Sequence, residues 1–319
     1  MSNLNIVIIG PEDIGKEIGK KGTSTDITFY NLRKGESTLT LIEPSRYPEK
    51  LSSLFYAVSL ADMAVVVIDK VTAQLGECIL ELNCARLSRG YLILRNYLDV
   101  AQISPLIKGT VLEQYKVIPD DFNALREALL ADADALPAAK TDSPGIIPID
   151  HHFNVKGIGT VILGCVQDGT VHKHDQVTIH PLGKTAQIRS IQKHDDDVNE
   201  AHTGDRVGLA LKGIEADDLD RGYVLTASQD IQSKCEVTGK VTIIPYWPEP
   251  LKEQMVLYAG HWMQFLPCRV QKFTTGGDWR SAELTLAFEK ELIFRPGSVV
   301  VLHYLEGEKL RIVGTLELA

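Results

Sequence analysis

Apolar runs and the polar residues that interrupt them divide this chain into two regimes that meet near residue 140. In the first, residues 5–9 form an apolar run ending at Gly10, and residues 26–32 and 38–42 flank Arg33-Lys34-Gly35-Glu36, a spacing that predicts a hairpin turn. Leu51, Leu54, Phe55 and Val58 recur at helical spacing, and residues 64–68 have the continuous apolar pattern of a buried strand. Leu75, Cys78, Ile79 and Leu82 share one helical face, and that helix is expected to stop near Gly90. Residues 91–94 read as another strand, and Asp121 is expected to cap a last helix carrying Leu125 and Leu129. Strand and helix in alternation predict an α/β layered domain with a mostly parallel sheet. Residues 131–148, rich in Ala, Asp and Pro, read as a linker. From Gly145 onward, short β-branched strands alternate with Gly and Asp turns, the pattern of β-barrels, and the polar stretch 228–234 separates two of them. The expected architecture is an α/β domain over 1–140 followed by two antiparallel β-barrel domains, 141–230 and 231–319.

Composition narrows the class. With 319 residues, 44% hydrophobic and 24% charged, the chain reads as a soluble globular protein of two or three domains. No apolar segment approaches a membrane span and no opening stretch reads as a signal peptide. Five cysteines without a CxxC pair favour reduced thiols in a cytoplasm. The formal charge of −9 is unevenly spread: Lys+Arg against Asp+Glu is 15 to 18 over residues 1–140, 8 to 14 over 141–233 and 10 to 10 over 234–319. A general nucleic-acid binder is usually basic, so any RNA contact must be local, and the neutral last third is the favoured place for it.

The sharpest local chemistry is Gly10-Pro11-Glu12-Asp13-Ile14-Gly15-Lys16, which fits the phosphate-binding spacing of glycines and lysine. The next position should supply a Ser or Thr hydroxyl to Mg²⁺, and Glu17 stands there instead. A carboxylate about 4 Å from a phosphate charge costs on the order of 4 kcal/mol at an effective dielectric near 20. The bland alternative is that the spacing is fortuitous and Lys16 is a solvated lysine. Asp195-Asp196-Asp197 and His172-Lys173-His174 have metal-like composition but fall at turns, so no metal site is assigned to them. Neither a nucleophile triad nor a zinc signature is present, and no catalytic residue is assigned.

Asp150-His151, Phe153, Lys156-Gly157-Ile158-Gly159-Thr160-Val161, Arg189-Ser190-Ile191-Gln192, Gly204-Asp205-Arg206-Val207-Gly208 and Asp220-Arg221-Gly222-Tyr223-Val224-Leu225 resemble, in register, the second domain of the translational GTPases of the elongation factor Tu group. The likeness is greatest to the selenocysteine-specific elongation factor and its archaeal relatives. The resemblance implies that Gly10, Gly15 and Lys16 hold nucleotide phosphates, that Ser24 stands for the metal-binding threonine of switch I, and that Asn96 and Asp99 read guanine with Tyr97 in place of the usual lysine. It implies GTP or GDP as the cofactor, with Mg²⁺ only when nucleotide binds. Two departures bear on this. Lys16 and Gly22 are only six positions apart, at most about 9 Å of helix, which leaves no chain for an effector loop. Residues 43–50, which correspond to switch II, lack its glycine and histidine. The resemblance also brings His151, His152, His194 and Arg206 near the grip on the aminoacyl end of tRNA. The expected protein is a monomeric cytoplasmic elongation-factor-like binder of aminoacyl-tRNA or the ribosome, with no membrane or DNA partner, and not an efficient GTPase. Its rivals are an active GTP-dependent factor for a specialised aminoacyl-tRNA and a protein-docking scaffold without RNA.

Overall fold

A computed structural model describes residues 2–136, 141–307 and 310–319. The chain divides into two units, one of Met1–Pro137 with His303–Val313 and one of Ala138–Leu302 with Gly314–Ala319.

The first unit runs β1 (Ser2–Ile9), α1 (Ile14–Ile18), β2 (Lys20–Ser24), β3 (Thr28–Lys34), β4 (Ser37–Glu43), α2 (Leu51–Ser59), β5 (Met63–Ile68), α3 (Ala73–Cys84), β6 (Gly90–Leu94), α4 (Val100–Ile107), β7 (Lys116–Ile118) and α5 (Phe122–Asp134). Its seven strands lie in the order β2-β3-β4-β1-β5-β6-β7. The run from β4 to β7 is parallel, and the β2-β3-β4 end is antiparallel. Strands buried on both faces need continuous apolar sequence, which β5 supplies throughout and β1 over its last four residues, Ile6-Val7-Ile8-Ile9. The hairpin falls where the sequence places it, turning at Gly35 with a φ of 63°. The helix α3 ends at Cys84 rather than near Gly90, because Arg86 takes a left-handed conformation (φ 57°) and Gly90 already opens β6. The proposed linker is helical at its start: residues 131–134 continue α5, whose Leu129, Leu130 and Ala133 are buried. Residues 137–140 of that linker lie outside the described residues, and 146–148 belong to the next strand.

The second unit holds two closed six-stranded antiparallel barrels. The first is built from β8 (Ile146–Val155), β9 (Gly159–Cys165), β10 (Thr170–His172), β11 (Gln176–His180), β12 (Lys184–Lys193), β13 (Asp196–Val198), β14 (Glu200–His202), β15 (Arg206–Lys212) and β16 (Val224–Thr226). Its ring β11-β16-β8-β9-β15-β12 is closed by β11 pairing with β12, around Ile147, Ile162, Ile188, Leu209 and Leu225. The second consists of β17 (Gln232–Ile243), β18 (Val256–His261), β19 (Gln264–Thr274), β20 (Ser281–Phe294), β21 (Val299–His303) and β22 (Ile312–Leu318) in the order β17-β20-β19-β18-β21-β22. The polar stretch 228–234 is only partly a spacer. Its Ile231 joins Ile146, Val224 and Ile293 in a small core where the two barrels meet, and β17 begins at Gln232.

Trp262 packs against that core, and the His261 ring lies 4.3 Å from its ring. Burial pushes the His261 imidazole down to about 4, against the weaker effect of a backbone bond at Val299. The unfolded chain therefore takes up the proton near pH 6.5 while the folded barrel does not, and stability falls as pH drops from 6.5 toward 4. The gap is worth on the order of 3 kcal/mol. Denaturant unfolding at pH 7 and pH 5 is expected to show about 2 kcal/mol of this loss, and His261→Phe is expected to reduce it.

Candidate functional site

The cavity of the first unit lies at the carboxyl ends of its parallel strands. The chain leaves β1 for the β2-β3-β4 side of the sheet and returns to place β5 on the other side, so the ends of β4, β1 and β5 meet at a topological switch point. There a cavity of about 330 Å³ is lined by Ile9, Gly10, Glu12, Glu43, Tyr47 and Asp69 among others. Of the six residues assigned to nucleotide, Gly10 lines it, whereas Gly15, Lys16, Ser24, Asn96 and Asp99 do not.

The glycine loop is engaged by the protein itself. Gly15 donates its backbone N–H to Glu43 Oε1 at 2.6 Å, and the Asp13 amide also bonds this carboxylate. Tyr30 donates its hydroxyl to Glu43 Oε2 at 3.1 Å and to Asp13 Oδ1 at 3.2 Å. Its ring lies directly on Gly15, where a Cβ would come within 2.3 Å of it. Burial raises the Glu43 carboxyl above its ordinary value, and the bond from Gly15 partly offsets this. Lys16 Nζ is bound to Asp13 Oδ2 at 2.5 Å, and that bond, more than any other effect, lowers the Asp13 carboxyl. The Lys16 amide donates to the Asp13 carbonyl at 3.2 Å. The Gly15, Asp13 and Lys16 amides and the Lys16 amine are thus turned to internal acceptors, and in this arrangement these groups are not open to a phosphate.

The remaining assigned residues have local partners. Ser24 Oγ bonds the Thr28 hydroxyl at 2.9 Å, and Glu17 is exposed, its carbonyl accepting from Arg126. Asp99 caps α4: its carboxylate accepts from the Gln102 amide at 2.9 Å, and Gln102 returns a bond to the Asp99 amide at 2.8 Å. Asn96 Nδ2 donates to the Asp69 carbonyl at 3.1 Å, and Tyr97 between them is fully exposed. Tyr47, in the stretch corresponding to switch II, donates its hydroxyl to Glu77 Oε2 and the Gln74 carbonyl, both at 2.9 Å. Arg311, within the His303–Val313 segment of this unit, bonds Glu77 through two nitrogens and the Pro48 carbonyl at 3.0 Å.

In the first barrel, the β8–β9 pairing slips between Ile149 and His151, which makes Asp150 a bulged residue re-aimed inward. Its fully buried carboxylate accepts from Arg206 Nη2 at 3.1 Å to each oxygen and bonds His151 Nδ1 at 2.6 Å, while its carbonyl accepts from Arg221 at 3.0 Å. Burial alone would raise the Asp150 carboxyl, but the Arg206 charge and the His151 contact outweigh it and hold the group below its usual value. His151 and Arg206 therefore converge. His152, half-exposed, is the next residue along β8, and His194 occupies the turn between β12 and β13 with a φ of 49°. Sequence reasoning did not assign Glu43, Tyr30 or Asp150. The available signal for the two acids was a carboxylate at the end of an apolar run, as in Leu41-Ile42-Glu43, where β4 ends, and Ile146-Ile147-Pro148-Ile149-Asp150, within β8.

Among the described residues, no group of His, Cys, Asp and Glu is arranged to hold a metal ion, and no helix is long and apolar enough to cross a membrane. The model of elongation factor Tu domain 2 matches residues 159–226. An uncharacterized protein of Methanocaldococcus jannaschii is 35% identical over 98% of this chain and 99% of its own length. The selenocysteine-specific elongation factor of the same organism is 27% identical over 81% of this chain, and the match spans 59% of that factor. The crystal structure of translation elongation factor SelB from Methanococcus maripaludis with the GTP analogue GPPNHP superposes with a TM-score of 0.84 at 22% identity, over all of this chain and 79% of that one. By the domain matched, the relatives and the α/β-plus-two-barrel fold, the chain belongs to the elongation factor Tu/SelB-like family of translational GTPases.

Proposed function

We propose that this chain is a translation elongation factor-like protein that engages aminoacyl-tRNA or the ribosome through its barrels, in the cytoplasm and as a monomer, with GTP switching weakened or lost. The observation that carries the reading is the Glu43 carboxylate seated on the Gly15 amide, an internal anion where a nucleotide phosphate belongs in the family. The five-residue α1 and the pairing of β2 with β3 support it, since the stretch available for an effector loop is built into the sheet.

The barrels retain chemistry suited to tRNA. Arg206 and His151 are held in one place by Asp150, which suits them to the aminoacyl end. On the second barrel, Arg280 lies 4.0 Å over the Trp279 ring and pairs with no carboxylate among the described residues. It points Nη2 at the carbonyls that flank Tyr246, itself 62% exposed. Aromatic rings beside an arginine plane are base-stacking chemistry, and this part of the chain is the neutral last third. Trp247, in contrast, is buried.

Calorimetry with GTP, GDP and a non-hydrolysable analogue in Mg²⁺ is expected to give no saturable binding at micromolar protein. Tight, Mg²⁺-dependent binding that separates GTP from GDP would overturn the loss of switching. Filter binding of aminoacyl-tRNA is expected to saturate in the micromolar range and to weaken as salt rises. Absence of salt-sensitive binding there and to ribosomes would overturn the tRNA reading.

A further inference from the structure

We propose that the cavity at the ends of β1, β4 and β5 binds an aliphatic di- or polyamine, an inference that rests on the proposed loss of GTP switching. The volume of about 330 Å³ is at the small end of ligand pockets, the size for a short chain rather than a nucleoside triphosphate. Its walls divide by chemistry. Ile9, Val67, Leu75 and Pro44 give an apolar trough for methylene groups.

The polar lining is rich in acceptors. Glu12, Glu43 and Asp69 contribute three carboxylates against the single lysine Lys70. Glu43 is already held by the loop amides and Tyr30, so recognition falls to Glu12 and Asp69, neither of which has an ion pair among the described residues. An ammonium group at each end of a flexible chain suits a cavity whose lining combines two such carboxylates with apolar walls. A phosphate meets the opposite: like charge on the lining and loop donors already engaged.

The test is calorimetric titration of the full chain with putrescine and spermidine in about 0.15 M salt, where exposed charges are screened beyond about 8 Å. Butane-1,4-diol serves as the uncharged control and GTP as the anionic one. The expected result is one saturable amine site with no binding of the diol. Asp69→Asn is expected to weaken it about tenfold, and Glu12→Gln/Asp69→Asn to abolish it. Circular dichroism melts, unchanged in both variants, check that they fold. Binding that is multisite and indifferent to these substitutions is condensation on an acidic surface and overturns the proposal, as does no amine binding. Failure with the amines and with GTP alike refutes this inference alone, whereas tight GTP binding refutes it together with the loss of switching.

Discussion

Replacing His303 with alanine is expected to destabilise the first unit by about 3–5 kcal/mol. His303 Nε2 and Glu81 Oε2 are 2.9 Å apart, and both side chains are fully buried. Glu81 Oε1 has no hydrogen-bond partner among the described residues, so His303 is the group that compensates this carboxylate. The His303 ring also stands edge-on to Phe55 at 5.6 Å, and truncation leaves a hole beside it. In a unit of this size each kcal/mol moves Tm by about 2–4 °C, so the melt is expected to drop by roughly 10 °C. A paired change separates charge from packing. Replacing both residues with apolar side chains, Glu81→Leu with His303→Phe, is expected to recover most of the loss, because the cost lies in the uncompensated charge. If the double variant is no better than His303→Ala, the Glu81–His303 contact is not what holds α3 to this segment.

The second large effect is expected in the first barrel. Arg206→Ala strips the fully buried Asp150 of its guanidinium and is expected to cost about 3–5 kcal/mol at pH 7. The pH dependence gives the sign. The Asp150 carboxyl is held below its ordinary value of about 3.9, so its stabilising contribution is complete above that value and is lost as pH falls through the lower folded one. In Arg206→Ala burial acts with less opposition and the same carboxyl rises. The stability difference between the two proteins is then expected to narrow as pH falls, measured by urea unfolding from pH 7 to pH 4. A gap that stays constant across that range would mean that Arg206 acts by packing rather than by charge. Filter binding of aminoacyl-tRNA to Arg206→Lys, which keeps the charge but not the fork, is expected to retain only part of the affinity.

Most of the architecture was legible because buried strands leave an unbroken apolar signature. The runs at β5 and at the end of β1 are of this kind, and the barrel strands leave the other readable pattern, an alternation of inward and outward residues. What the sequence hid follows from the same physics. β2 reads Lys-Lys-Gly-Thr-Ser, a mostly exposed edge strand that exists through its backbone pairing with β3 and so has no apolar pattern to detect. α4 carries Pro105 in its interior and is only eight residues long, so its capping box at Asp99 outweighs its helical signal. Residues 131–134 look like a linker by composition, yet Ala133 is spaced four from Leu129 and shares its buried face. At the candidate site, the glycine loop was found from spacing alone. That its lysine turns back to Asp13 is a bond made three residues away, but that its Gly15 amide faces Glu43 depends on a strand 28 residues further along, which local spacing does not encode.

The brevity of α1 bears on time as well as space. In a nucleotide switch the chain after the first helix acts as a timer, since its release sets when cargo departs. Here that stretch passes directly into β2 and forms the rim of a sheet. With switching lost, as proposed, a bound cargo would leave at its own dissociation rate. With association near 10⁶ M⁻¹ s⁻¹ and micromolar affinity, residence is about one second. Occupancy would then follow cargo concentration alone, the behaviour of a reservoir that fills and drains without fuel.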